Sequence, residues 1–343
     1  MRDEIHQQPE VLQGLLQNQW EHVKQIASNL RGLDIKYIFL VARGSSDNAG
    51  LYAKYLLGLH NKLPVALAAP SMFSVYRKPP DLCDCVVLGI SQSGESPDIV
   101  KVLRDAQRNG VPTISITNMP DSPLSQVADM VIDIGADVET AIAATKSYTG
   151  QLMAIAMLSA ALSEEGERYK ELEGIPECLT RTLRIESDID DAATLFAEMV
   201  HGVVLGRGYN YATANEWSLK MKELAYVVAA PYSSADFLHG PVALIEQDFP
   251  VFAIIQSGDM FDELSSLVER LKSKFGARTL VITNNPMLSI ASDVILVVPE
   301  ELPEHLSPII SIVPAQLLSY YLACKKGIDP DSPRGLKKVT QTI

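Results

Sequence analysis

Two apolar runs in the first third of the chain are each followed by hydroxyl and amide side chains. The run 85–90 leads into SQSGES (91–96), and the run 37–42 leads into RGSS (43–46). Serine hydroxyls donate to anion oxygens, Gly94 permits a tight turn, and a helix N-terminus presents unpaired N–H groups. Single serines at such positions are also common helix N-caps. The cluster as a whole predicts a phosphate site, with Ser91, Ser93 and Ser96 as donors.

Three ionisable residues in the second half share one face of a predicted helix. Glu216, Lys220 and Glu223 are spaced i, i+4 and i+7. This spacing is typical of a solvated salt-bridge face. A Glu beside a Lys in a cleft is also an acid/base pair, and the spacing alone does not decide between the two.

His239 and the lysines near the C-terminus are further ionisable candidates. His239 lies in a segment bounded by Gly240 and Pro241, where a histidine is either structural or, with a pKa near neutrality, catalytic. Lys337 and Lys338 follow in the last seven residues. Their composition alone predicts solvated side chains.

Short apolar runs alternate with longer helical patterns from about residue 36 onward. The runs 37–42, 85–90 and 113–117 are typical of buried strands, and PDIVKVLRDAQRNG (97–110) is typical of a helix. This alternation predicts an α/β fold, in which a parallel sheet carries helices on both faces.

The second half of the chain repeats the first at an offset of 164 to 166 residues. FLVARG (39–44) returns as VVLGRG (203–208), and TISITNMP (113–120) returns as TLVITNNP (279–286). The loop ISQSG likewise returns as IIQSG, in which Ile255 stands where the first copy has Ser91. Because the matching segments occur in the same order in both halves of the chain, they predict two tandem copies of one fold. We expect the apolar Ile255 to face the anion position, so that only the first copy binds phosphate.

Composition and charge exclude several classes of protein. A net charge of −13 argues against a nucleic-acid partner, because phosphate backbones are bound by clustered Lys and Arg. The N-terminus lacks the apolar stretch of a signal peptide. The apolar run near Pro314 is expected to be shorter than the ~20 residues that a spanning helix needs. A cytoplasmic protein without a membrane partner is predicted.

Cofactor and metal motifs are also missing from the sequence. The four cysteines give neither a disulfide framework nor the paired ligand spacing of a zinc site. Gly206 and Gly208 lack the third glycine of a dinucleotide fingerprint, and a Walker loop is absent. We therefore expect neither a metal nor a cofactor.

Six motifs in this order resemble the two-domain members of the sugar isomerase (SIS) family. The relevant members are the isomerase half of glutamine–fructose-6-phosphate amidotransferase and the stand-alone glucosamine-6-phosphate deaminases. The motifs are RGSS (43–46), SQSGES (91–96), AATKSY (143–148), EWSLKMKE (216–223), FLHGP (237–241) and DPDSPRGLKKVT (329–340).

The resemblance assigns a role to each candidate. It implies that Glu223 moves a proton between C1 and C2 of an amino-sugar phosphate, that His239 assists ring opening, and that Lys338 lies at the reacting end of the sugar. The resemblance also implies a larger set of binding residues. Ser46, Ser91, Gln92, Ser93 and Ser96 would hold the phosphate, Ser45, Ile142 and Ala143 would line the sugar, and Glu216 and Lys220 would be further polar groups of the pocket.

The resemblance further implies a homodimer with shared active sites and a division of the chain into parts. We expect a helical segment over 1–34, a first SIS domain over 35–165, a helical linker over 166–200, a second SIS domain over 201–328 and a tail over 329–343 that closes the active site. Only ~35 residues precede the first predicted strand, too few for the glutaminase domain of the amidotransferase.

The predicted activity is therefore conversion of glucosamine 6-phosphate to fructose 6-phosphate and ammonia. Four alternatives stay open. They are a fructosamine-6-phosphate deglycase, an enzyme acting on galactosamine 6-phosphate, a synthase subunit that depends on a separate glutaminase, and a non-catalytic sugar-phosphate sensor.

Overall fold

A computed structural model of the protein describes residues 1–163, 166–299 and 302–338. The boundary predicted at residue 165 and the last five residues of the predicted tail lie outside the described residues. The strands are β1 Tyr37–Val41, β2 Val65–Leu67, β3 Cys85–Ile90, β4 Thr113–Thr117, β5 Met130–Asp133, β6 His201–Gly206, β7 Val228–Ser233, β8 Pro250–Ile255, β9 Arg278–Thr283 and β10 Val294–Val297.

Helices precede, connect and follow these strands. They are α1 Arg2–His6, α2 Gln8–Arg31, α3 Ser45–Asn61, α4 Ser71–Ser74, α5 Pro97–Arg108, α6 Pro123–Val127, α7 Lys146–Ser163, α8 Gly166–Glu173, α9 Ile175–Thr182, α10 Glu186–Leu195, α11 Asn210–Leu224, α12 Ser234–Leu238, α13 Phe261–Phe275 and α14 Ser307–Lys325.

Within the described residues the strands form two parallel five-stranded sheets with the same connectivity. The first sheet has the order β2-β1-β3-β4-β5, and the second has the order β7-β6-β8-β9-β10. All neighbouring strands are parallel. The predicted α/β fold with two tandem copies is confirmed.

The chain divides into two compact units, each built around one sheet. The first-sheet unit comprises residues 10–140 and 144–173 with the described residues 337 and 338, and the second-sheet unit comprises residues 1–9, 141–143 and 174–336. Each unit is described by itself below.

One helix in each unit covers its sheet with the same apolar pattern. In the first-sheet unit α5 buries Ile99, Val102, Leu103 and Ala106, which are spaced i, i+3, i+4 and i+7. In the second-sheet unit α13 buries the corresponding side chains, namely Leu264, Leu267, Val268 and Leu271. This spacing forms a continuous apolar stripe along a helix, so the repeat extends from the strands to the packing of the helices on them.

The apolar run around Pro314 forms a core helix of the second-sheet unit. Within the described residues, Glu304–Lys325 is long and apolar enough to cross a membrane. Of its most apolar 18-residue stretch, 89% is buried inside the protein. Our expectation that the run is too short was therefore wrong, because the 3₁₀ turn Glu304–Leu306 continues into α14 and the two together span 22 residues. The helix packs against α10 and α11, as a core helix does.

Candidate functional site

The two predicted phosphate loops follow neighbouring strands of the first-sheet unit. β1 and β3 pair directly, while β2 lies on the other side of β1. The chain thus proceeds in opposite directions across the sheet from these two strands, and ligands of open α/β sheets bind in the crevice that results at their carboxyl ends. RGSS (43–46) and SQSGES (91–96) both lie at that edge.

The SQSGES loop is held by its own hydroxyls. The Oγ atom of Ser91, which is 6% exposed, accepts a hydrogen bond from the N–H of Gly94 at 3.1 Å, and the Oγ atom of Ser93 accepts from the N–H of Glu95 at 3.3 Å. Gly94 has a φ of +62°, and a Cβ atom there would lie 2.0 Å from the Oγ of Ser122. Only glycine therefore fits at this turn.

Ser96 and Gln92 complete this loop and are partly exposed. Ser96 is the N-cap residue of α5, but its side chain makes no capping hydrogen bond. The alternative explanation of Ser96 as a simple helix cap therefore does not account for its hydroxyl, which stays a candidate phosphate donor.

The second loop presents Ser45 and Ser46 at the start of α3. Ser46 is 7% exposed, and its Oγ atom accepts a hydrogen bond from the Nε2 of Gln151 on α7 at 3.0 Å. Because Gln151 donates in this bond, the hydroxyl hydrogen of Ser46 remains available for another acceptor. Sequence reasoning missed Gln151, which is 105 residues from Ser46.

Lys338 forms an ion pair with a buried carboxylate of the same unit. Its Nζ atom lies 2.8 Å from Oε2 of Glu139, whose side chain is completely buried. Glu139 also accepts from the N–H and hydroxyl groups of Thr145 and Ser147 at 2.7–3.1 Å. Burial alone would raise the pKa of Glu139, but Lys338 and these hydrogen bonds together lower it below its usual value.

This ion pair corrects our expectation for Lys338 and adds Glu139 to the candidate site residues. Composition predicted a solvated Lys338, yet its side chain is 27% exposed and ion-paired. Sequence reasoning missed Glu139 entirely. Glu139 lies seven residues before α7 begins, outside the usual N-cap position, and its partner Lys338 is 199 residues away, so no local sequence signal pointed to it.

The ionisable stripe of the second-sheet unit is buried on α11. The side chains of Glu216 and Lys220 are 0% exposed, and that of Glu223 is 23% exposed. The Nζ atom of Lys220 lies 3.3 Å from Oε1 of Glu216 and 2.5 Å from Oε2 of Glu223. Of the two explanations left open by the spacing, the solvated salt-bridge face is excluded.

The burial of this stripe follows from the position of its helix. α11 packs against β6, β7 and α14. Burial alone would lower the pKa of Lys220, but the two carboxylates outweigh it and raise the pKa. Lys220 is therefore held charged between two acceptors, and Glu223 is the member of the cluster that reaches solvent.

His239, Ile142 and Ala143 also belong to the second-sheet unit. His239 follows α12 and is exposed, and among the described residues its side chain forms no hydrogen bond or ion pair with the α11 carboxylates. Ala143 is buried and Ile142 partly buried. Next to them, the N–H of Ala141 donates to the carboxylate of Glu4 at 3.1 Å.

The predicted site residues are thus divided between the units. Those of the first-sheet unit are Ser45, Ser46, Ser91, Gln92, Ser93, Ser96 and Lys338, and those of the second-sheet unit are Ile142, Ala143, Glu216, Lys220, Glu223 and His239. In residues 1–163, 166–299 and 302–338, no group of three or more His, Cys, Asp or Glu side chains is arranged to hold a metal ion.

The loop of the second copy differs from that of the first in two ways. Ile255 is fully buried in the core of its unit, so it does not face the anion position as we expected. Its loop is instead contacted by Glu304, whose Oε2 accepts from the N–H of Asp259 at 3.2 Å and lies 2.0 Å from where a Cβ of Gly258 would be. A carboxylate of the chain itself therefore contacts this loop.

Comparison with known proteins also divides the chain into two similar parts. The SIS domain profile matches twice, at residues 33–161 and 196–326. The chain belongs to the SIS domain family. Each match contains one of the two parallel sheets, which agrees with the resemblance drawn from the motifs.

Individual relatives of this SIS chain include enzymes of amino-sugar metabolism. A glutamine–fructose-6-phosphate aminotransferase (isomerizing) from Thermococcus kodakarensis is 35% identical over 98% of this chain and 57% of its own length. The SIS chain spans about half the length of the curated relatives it matches.

Solved structures extend the comparison over nearly the whole chain. A candidate phosphosugar isomerase from Silicibacter pomeroyi DSS-3 is 35% identical, with a TM-score of 0.88 over 96% of this chain and 99% of the other. Glucosamine-6-phosphate deaminase from Thermotoga maritima is 25% identical, with a TM-score of 0.78 over 99% of both chains.

Proposed function

We propose that the chain is an aldose–ketose isomerase of amino-sugar phosphates that deaminates glucosamine 6-phosphate. The observation that carries the proposal is the buried Glu216–Lys220–Glu223 cluster, whose one partly exposed carboxylate belongs to Glu223. A buried cluster of this kind on a SIS chain is suited to proton transfer, because a carboxylate that reaches solvent beside a buried cation can act as a general base.

We assign the phosphate of the substrate to the first-sheet unit. Ser46, Ser91, Gln92, Ser93 and Ser96 would bind it. Ser45, Ile142 and Ala143 would contact the sugar. The serine hydroxyls and the N-termini of α3 and α5 at one sheet edge support this assignment, because both donate hydrogen bonds to a dianion.

We assign the proton transfer to Glu223. His239 would assist opening of the sugar ring, after which Glu223 would take the proton from C2 and return it at C1. The imine so formed at C2 would add water and release ammonia, leaving fructose 6-phosphate. A positioned base contributes ~10²–10⁴ in rate, and the cation of Lys338 would stabilise the enediol-like charge between the two transfers.

The isomerizing aminotransferase reaction is the second candidate. The relative from Thermococcus kodakarensis, at 35% identity, favours it. The same proton transfer serves both reactions, and they differ in direction and in the source of ammonia. In the synthetic direction, fructose 6-phosphate would accept ammonia that another protein or domain supplies.

A substrate panel distinguishes these candidates. The purified protein would be incubated with glucosamine, galactosamine and fructosamine 6-phosphates while ammonia and ketose phosphate are measured. Release of ammonia and fructose 6-phosphate in equal amounts from glucosamine 6-phosphate is expected. Formation of glucosamine 6-phosphate from fructose 6-phosphate and ammonium, with no net release in the other direction, would favour the synthase. No turnover of any sugar phosphate would contradict an enzymatic role.

A further inference from the structure

An ion pair joins the two phosphate loops of the first-sheet unit. Arg43 belongs to the loop after β1, and Asp98 lies in the first turn of α5, after the loop that follows β3. The Nε and Nη2 atoms of Arg43 lie 2.9 and 2.8 Å from Oδ2 of Asp98. Two N–H groups of a planar guanidinium on one carboxylate fix orientation as well as distance.

The burial of the two partners is unequal. The side chain of Asp98 is 1% exposed, whereas that of Arg43 is 50% exposed. The other oxygen of Asp98 accepts from the N–H of Ile99 at 3.0 Å, so the carboxylate is fixed to the start of α5. Removal of Arg43 would leave a buried charge without this cation, which is a costly arrangement.

The second copy contains the same ion pair at the corresponding positions. Arg207, 164 residues after Arg43, is ion-paired with Glu263. Glu263 lies in the first turn of α13, 165 residues after Asp98, as the buried faces of the two helices also correspond. The second loop has Ile255 in place of Ser91 and is contacted by Glu304. The ion pair is therefore present in both copies, although the loop beside it differs between them.

We propose that Arg43 and Asp98 are positioning residues that hold the loops after β1 and β3 at the spacing required to bind the phosphate. The inference rests on the proposed function, because it concerns the phosphate of the same substrate. Loops that are fixed before binding lose less entropy when the ligand arrives. The pair acts through the serines: Ser45 and Ser46 follow Arg43, and Ser91, Ser93 and Ser96 precede Asp98.

The negative charge of Asp98, taken alone, would have the opposite effect on phosphate binding by Asp98→Ala. If Asp98 acted only through its charge, Asp98→Ala would remove an anion near the phosphate and would tighten binding. If the pair holds the loops together, Asp98→Ala and Arg43→Ala should both weaken binding, and the double variant should bind about as weakly as either single one, because coupled residues are not additive.

The experiment measures the Kd for inorganic phosphate by calorimetry, and kcat and KM for glucosamine 6-phosphate, in the full chain. Arg43→Ala and Asp98→Ala should raise Kd and KM roughly tenfold or more and change kcat by less than about threefold, as expected for lost positioning of a bound group. Arg43→Lys keeps the charge without the paired N–H groups and should give an intermediate effect. Arg207→Ala is the matched control and should leave Kd within about twofold.

The outcomes separate this inference from the proposed function. Wild-type protein that binds phosphate, with Arg43→Ala and Asp98→Ala variants that bind equally well, would overturn the positioning role alone. Tighter binding by Asp98→Ala, or equal losses in Arg43→Ala and Arg207→Ala, would also overturn it. Wild-type protein that binds neither phosphate nor the sugar phosphate would contradict the proposed function and the positioning role together. Arg43→Lys decides the outcome if either alanine variant does not fold.

Discussion

The Nζ atom of Lys338 lies 2.8 Å from Oε2 of Glu139, whose side chain is completely buried. The two residues are 199 positions apart in the chain. Glu139 also accepts hydrogen bonds from Thr145 and Ser147 at the start of α7. One carboxylate therefore connects the helix N-terminus with the cation that we place at the reacting end of the sugar.

Glu139→Gln should lower the free energy of unfolding at neutral pH by about 1–3 kcal/mol, the range for buried donors left unsatisfied. Because the pKa of Glu139 is lowered in the fold, its stabilisation is complete above the usual pKa of about 4.3 and is lost as the pH falls through the lowered value. Urea unfolding of both proteins at neutral and acid pH measures this. The difference should shrink in acid.

The exposed Glu10 of α2 provides the control. Glu10→Gln should have almost no effect at either pH. A Glu139→Gln effect that is equal at neutral and acid pH would mean that the charge of Glu139 does not stabilise the fold.

Lys220→Met should be far more destabilising than Lys222→Met on the same helix. Lys220 is fully buried between Glu216 and Glu223, and its loss removes the cation that pairs with these carboxylates, which costs about 3–5 kcal/mol. Lys222 is exposed and forms no ion pair within the described part of the chain. Denaturant unfolding of the two variants measures the difference.

The pH dependence of Lys220→Met has a defined sign. The pKa of Lys220 is raised in the fold, so its stabilisation is complete below the usual value of about 10.4 and is lost only as the pH rises through the raised value. The deficit of the variant should stay constant from neutral pH to about pH 9. A deficit that disappears near neutrality would mean that Lys220 is uncharged in the fold.

Ser91→Ala combined with Ser93→Ala should weaken binding of glucosamine 6-phosphate by several kcal/mol, since each hydrogen bond to a charged group contributes about 1.5–3 kcal/mol. Ser257 occupies the position of Ser93 in the second copy. Ser257→Ala should change the affinity little. Calorimetry with each variant measures both effects, and equal losses would show that the two copies bind phosphate alike.

Complementation tests the proposed homodimer with shared sites. If His239 acts in the site of a partner chain, Glu223→Gln and His239→Ala proteins should regain activity when they are unfolded and refolded together. Simple counting of sites in a statistical mixture predicts recovery to about 25% of wild type. A verified heterodimer that remains inactive would place His239 in the site of its own chain or remove it from catalysis.

The repeat was predictable because its signal is local. The apolar runs that form the strands and the buried apolar pattern of α5 are each contained in a short stretch of sequence. The same pattern recurs in α13. The structure adds that the order of the strands also repeats. Strand order depends on contacts between distant segments, so sequence periodicity alone does not specify it.

The surroundings of the candidate site residues could not be predicted from the sequence. The spacing of Glu216, Lys220 and Glu223 is the same on a solvated and on a buried helix face, and the packing of α11 against β6, β7 and α14 decides between them. Glu139 and Gln151 were not predicted as site residues, for a related reason. Their partners Lys338 and Ser46 lie 199 and 105 residues away, and no local pattern links them.

Hydrogen exchange at C2 of glucosamine 6-phosphate tests the assignment of Glu223 as the base most directly. In deuterated buffer the wild-type protein should exchange the C2 hydrogen with solvent. Glu223→Gln should bind the sugar phosphate with nearly unchanged affinity and lose the exchange, because the amide keeps the shape of the side chain but cannot accept the proton. Glu246→Gln, at an exposed position of the same unit, should exchange like wild type. Undiminished exchange in Glu223→Gln would contradict the account and assign the proton transfer to another group.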